Sequence, residues 1–132
     1  YCLGAKQYNG AVPPGGWGLY FRSQNPNNNF YIFFADLDDP PNHRYDSSPE
    51  EANPAYGGKT VNLPSGYYIS DINIDGTSRS NFSITYEPPD PIVTICRSSS
   101  QCTGRVVIIT IADDQGQIRT ITLNKFGLVD PN

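Results

Sequence analysis

Between Arg105 and Phe126 the chain carries two β-branched runs, Val106-Val107-Ile108-Ile109-Thr110-Ile111 and Ile118-Arg119-Thr120-Ile121-Thr122-Leu123. Such side chains are stiff at χ1 and suit a pleated, half-buried surface better than a helix. Asp113-Asp114-Gln115-Gly116 separates the runs. Acidic residues ahead of a glycine fit a type I turn closed by a glycine bulge. The pattern predicts a C-terminal β-hairpin over 105–126. Its second arm alternates, with Ile121 and Leu123 on the face of Arg119 and Lys125, and Thr120 and Thr122 opposite. The first arm is apolar on both faces, Val107, Ile109 and Ile111 on one and Val106 and Ile108 on the other. A strand apolar on both sides is normally covered on both. Something is therefore expected to lie over Val106 and Ile108.

The rest of the chain leaves little room for helices. Gly and Pro number 12 each, and no window longer than about 13 residues escapes both. Proline in a helix interior costs roughly 3 kcal/mol, and short isolated helices are marginal. The expected class is mainly β, with antiparallel sheets in one domain spanning the 132 residues. Residues 1–15 read as an irregular entry segment. Strands are expected over 16–22, 30–36, 60–64, 67–74, 81–86 and 92–96, with turns at Asn25-Pro26-Asn27-Asn28, Pro64-Ser65-Gly66 and Asp75-Gly76. A long acidic, proline-rich loop fills 37–59. This rhythm suits a β-sandwich or meander.

Net charge is −4 and the cations are not grouped. Nucleic acid is a poor partner for such a chain, because phosphate binding relies on clustered Lys and Arg. Cys96 and Cys102 bracket a short polar loop and are expected to form a disulfide, which implies an oxidising, exported setting. Cys2 and His43 alone cannot complete a zinc site with them. Cys2 is left free, paired between chains, or without its partner.

Trp17, Tyr20 and Tyr31 stand in two aromatic strands. They read first as core, and alternatively as a platform for a sugar or protein partner. Asp36, Asp38, Asp39 and Asp46 offer hard oxygens in a loop, a pattern compatible with Ca²⁺ but interrupted by Pro40 and Pro41 where an EF-hand needs a glycine turn. They read first as a solvated acidic loop, with no other cofactor expected. His43 is the only histidine, and no nucleophile motif or converging carboxylate pair accompanies it. The expectation is a protein that is not an enzyme.

Several stretches, taken in order, resemble one family. Gly16-Trp17-Gly18-Leu19-Tyr20-Phe21, then Phe30-Tyr31-Ile32-Phe33-Phe34-Ala35-Asp36-Leu37-Asp38, then Leu63-Pro64-Ser65-Gly66-Tyr67-Tyr68-Ile69, are similar to successive segments of type IV pilin-like proteins. Ser80-Asn81-Phe82-Ser83-Ile84-Thr85-Tyr86-Glu87-Pro88-Pro89-Asp90 and Ile118–Val129 continue the series. The resemblance is to the globular domain of GspH/FimT-type pilins and minor pseudopilins, and covers roughly 15–129. It implies a structural subunit of an extracellular or periplasm-spanning filament on a bacterial cell surface. Its partners would be other pilin subunits, met through an N-terminal apolar helix that also supplies the only membrane contact. That helix is not in this sequence, so the resemblance implies a trimmed soluble domain. In the family its second half packs across a sheet, which would cover Val106 and Ile108. Surface loops would serve adhesion, a glycan or another host-surface ligand. The family's glycine-rich acidic loop is replaced here by residues 36–46, so no metal site is carried over. The alternative reading is a secreted β-sandwich that binds carbohydrate or protein.

Overall fold

The computed structural model describes residues 15–36, 42–45, 59–87, 92–97, 101–125 and 129–131. They form ten strands: β1 (Trp17–Arg22), β2 (Phe30–Ala35), β3 (Lys59–Asn62), β4 (Tyr67–Ile74), β5 (Thr77–Arg79), β6 (Asn81–Glu87), β7 (Ile92–Cys96), β8 (Val106–Asp113), β9 (Ile118–Asn124) and β10 (Val129–Pro131). No helix occurs among the described residues. Two five-stranded sheets result, ordered β3-β2-β1-β6-β7 and β10-β9-β8-β4-β5. Every pairing is antiparallel. All of the entry segment but Gly15, with Cys2 in it, and most of the 37–59 loop lie outside the described residues.

Period-two alternation decides which side chains face inward. In the first sheet Phe21 pairs with Phe82, and Leu19 with Ile84, which pairs onward with Ile95. In the second sheet Ile109 lies between Ile72 and Ile121, and Val107 between Ile74 and Leu123. Ile69, Ile72, Ile74, Phe82, Ile95, Val107 and Ile109 join into one buried cluster, so the sheets pack face to face. Phe21 and Phe82 stack at 5.1 Å within it. A second cluster extends the same inner face of the first sheet through Trp17, Phe33 and Ala35.

One irregularity makes this core possible. Ile69 and Ile72 are three apart and would point to opposite faces of a regular strand. The β4–β8 register shifts between Ile69 and Asp71. That bulge absorbs Ser70 and returns both isoleucines to the interior, 1% and 0% exposed.

The turns follow their residues. Asp75 and Gly76 both take positive φ, 51° and 92°, as a two-residue hairpin of the primed kind requires. The Asp75 carboxylate then accepts the N–H of Arg105 at 3.1 Å and of Val106 at 2.9 Å, tying this turn to the start of β8. At the β8–β9 turn Gly116 N–H donates to Asp113 O and Asp113 N–H to Gln117 O, with Gly116 at φ 81°. The C-terminal hairpin has the expected turn, between a first arm of Val106–Asp113 and a second that ends at Asn124.

Candidate functional site

The two outer faces of the sandwich differ sharply. On the first sheet, residues 42–45 lie across the outer face. Asp36 is buried, and its carboxylate accepts the backbone N–H of His43 at 2.6 Å. The backbone N–H of Tyr45 donates to the Ser83 hydroxyl at 3.1 Å. The Tyr45 ring rests against Tyr20 and Phe34, with centroids 5.0 and 5.5 Å away. His43 Nδ1 stands 3.7 Å from Glu87 Oε1, an ion pair when the imidazole is protonated. Cys96 and Cys102 are joined as a disulfide, and their sulfurs lie 3.9 and 3.8 Å from the Asn42 carbonyl oxygen. Having no S–H, the disulfide makes this a packing contact. Burial raises the Tyr20 phenol above its ordinary value, opposed by the nearby Arg22 guanidinium and reinforced by Tyr45.

On the second sheet the outer face carries Val106, Ile108, Thr110 and Ala112 from β8. Opposite them stand Asn124, Thr122, Thr120 and Ile118 from β9. Tyr68, Asp71 and Asn73 of β4 complete the surface. Val106 and Ile108 are each 38% exposed and Ile118 is 65% exposed. Val106 and Ile108 lie at one end of this face and Ile118 at the other, and no described residue covers them in the way residues 42–45 cover the first sheet. Among the described residues the expected cover over Val106 and Ile108 is not met: one face of β8 is core, and the other is a partly wet strip.

The residues singled out in sequence separate accordingly. Trp17 is fully buried and stacks on Phe33 at 5.8 Å, so it offers no surface to a partner. Tyr31 packs on Phe21 at 5.2 Å on the inner face, whereas Tyr20 meets Tyr45 on the outer one. Strand alternation therefore keeps Trp17, Tyr20 and Tyr31 from forming a single platform. Asp36 is used as an anchor for residues 42–45. Asp38, Asp39 and Asp46 lie outside the described residues. Among the described residues no three His, Cys, Asp or Glu side chains are grouped to hold a metal ion, and no helix is long and apolar enough to cross a membrane.

Sequence reasoning missed a cleft of about 510 Å³ where three turns meet. The β1–β2 turn supplies Asn25 and Asn29, the β3–β4 turn Ser65, the start of β4 Tyr67 and Tyr68, and the β8–β9 turn Asp114. Each turn is ordinary in sequence, and no local signal announces that the three converge.

No family model matches the chain, and neither a curated protein nor a solved structure is significantly similar to it.

Proposed function

We propose that this chain is the β-rich head of a type IV pilin-like subunit, of the minor pseudopilin or GspH/FimT-type kind, that assembles into a filament at the bacterial cell surface. The observation that carries the reading is the open apolar strip on the second sheet. Complete burial of a Val or Ile side chain is worth about 1.5–3 kcal/mol. Their 38% residual exposure leaves Val106 and Ile108 about 1–2 kcal/mol together for a covering element. An apolar helix joined to the head and laid across β8 would gain that energy and present its other side to neighbouring subunits. The ordered series of family-like segments and the two-sheet antiparallel fold support the same reading. The Cys96–Cys102 disulfide suits an oxidising compartment. Other pilin subunits would be the principal partners, the helix the only membrane contact, and catalysis no part of the role.

The test uses the full-length protein in its native host. The wild type should be recovered in filaments sheared from the cell surface. Ile108→Asp should be depleted from that fraction, although the head alone still melts cooperatively. Wild-type protein that never enters a filament fraction overturns the proposal, as does an Ile108→Asp variant incorporated at the wild-type level.

A further inference from the structure

We propose that the cleft at the turn end of the sandwich is a binding site for a neutral carbohydrate. Its volume, about 510 Å³, lies within the range of roughly 300–1,000 Å³ typical of small-ligand clefts. The lining is specific in chemistry. Asn25 and Asn29 bring amides that both donate and accept, Ser65 a hydroxyl, and Asp114 a carboxylate that only accepts. Tyr67 and Tyr68 also line it; as neighbours on β4 they leave opposite faces of the strand, and each carries a ring with an apolar body and a polar tip. Vicinal hydroxyls need paired donors and acceptors of this kind, and the C–H face of a pyranose needs an aromatic surface. Among the described residues no Lys or Arg lines the cleft, so a phosphate or an acidic sugar would meet the Asp114 carboxylate without a compensating cation from them.

The walls are held from both sheets, which favours binding without reordering. Ile69 N–H donates to Asn28 O at 2.7 Å, and the Asn28 side-chain amide donates to Ile69 O at 3.0 Å. Leu63 N–H donates to Asn29 O at 2.9 Å. The β1–β2 turn of the first sheet is thereby bonded beside β4 of the second, at a position beyond the reach of short β5. Binding groups on loops fixed by a rigid scaffold lose little entropy when a ligand arrives. Asp114 is open to solvent, while the neighbouring Asp113 carboxylate organises the turn by accepting the N–H groups of Gln115 and Gln117, both at 2.9 Å. Asp114 can therefore be changed without undoing the turn.

The experiment is a printed array of neutral and acidic oligosaccharides, followed by titration of the soluble head with the best neutral glycan and with methyl hexopyranosides up to about 10 mM, a span that catches millimolar affinities. Wild type should bind neutral glycans. Asp114→Ala and Asn29→Ala should each weaken binding about tenfold or more at an unchanged melting temperature. Tyr67→Phe, which keeps the ring, should bind better than Tyr67→Ala. Binding confined to acidic glycans, neutral binding indifferent to Asp114→Ala and Asn29→Ala, or no binding in this range would each overturn the site. The inference does not rest on filament assembly, which is scored separately by the sheared-filament fraction.

Discussion

Replacing both Cys96 and Cys102 with Ala removes a cross-link whose worth follows from its position. The sequence separation is 6. On the chain-entropy model a loop that short confines the unfolded chain by about 2 kcal/mol. Cys96 is also buried at the end of β7, opposite Ser83 of β6, with its sulfur against Asn42. Truncating it adds roughly 1 kcal/mol of lost packing. The double variant should therefore be about 3 kcal/mol less stable, and the reduced wild type, which keeps its sulfurs, about 2 kcal/mol. For a chain of this size each kcal/mol moves the midpoint by about 3–5 °C, giving a fall of about 9–15 °C for the variant. Calorimetric melts of the oxidised, reduced and double-alanine proteins measure all three states. If the double variant melts within about 2 °C of the oxidised protein, the reasoning that the bridge constrains the unfolded chain and secures residues 42–45 is refuted.

Three further outcomes follow from particular contacts. Asp75→Ala removes the acceptor for two backbone N–H groups at the start of β8 and should cost about 1–2 kcal/mol in urea unfolding, the lower part of the charged-bond range because the carboxylate is exposed. Asp75→Asn tolerates the positive φ and should cost less; equal losses would contradict the turn geometry. Gly18→Ala would put a Cβ 2.6 Å from the Phe34 ring and 2.9 Å from Ile84 O. Phe34 is fully buried, so the variant should lose about 1–3 kcal/mol, and a neutral result would mean the ring has room to move. Tyr20 has its folded-state pKa raised from 10.0, chiefly by burial. Its contribution should be complete below pH 10.0 and fade as pH rises through the higher folded-state value. Tyr20→Phe should flatten that alkaline decline in melts followed by phenolate absorbance, and an unchanged decline would place its origin elsewhere.

Much of the fold was legible because its signals are local. The β8–β9 hairpin, the Asp75-Gly76 turn and the strictly alternating β6 each declare themselves within ten or so residues through propensity, period and turn chemistry. β5 and β10 escaped notice because three residues are too short for a period to emerge. The Ser70 bulge escaped because alternation read along one strand cannot show a shift in pairing with another. Of the three rings read first as core, Trp17 is buried while Tyr20 and Tyr31 are half-buried, and which ring faces which way depends on register. The identity of the surface was least legible. Residues 42–45 fold over the first sheet through Asp36, Ser83 and the disulfide, contacts spanning seven to sixty positions. The cleft likewise draws its lining from three separate turns. A sequence lists such residues without stating that they meet.

The most direct test of the filament reading is the coding sequence immediately upstream of Tyr1 in the native gene. The pilin-like subunit requires a short basic leader, a small-residue cleavage site and then about 20 apolar residues with an early glutamate, enough for a helix that anchors in the membrane and afterwards lies across Val106 and Ile108. A conventional secretory signal ending beside Tyr1 would remove that helix and contradict the assignment.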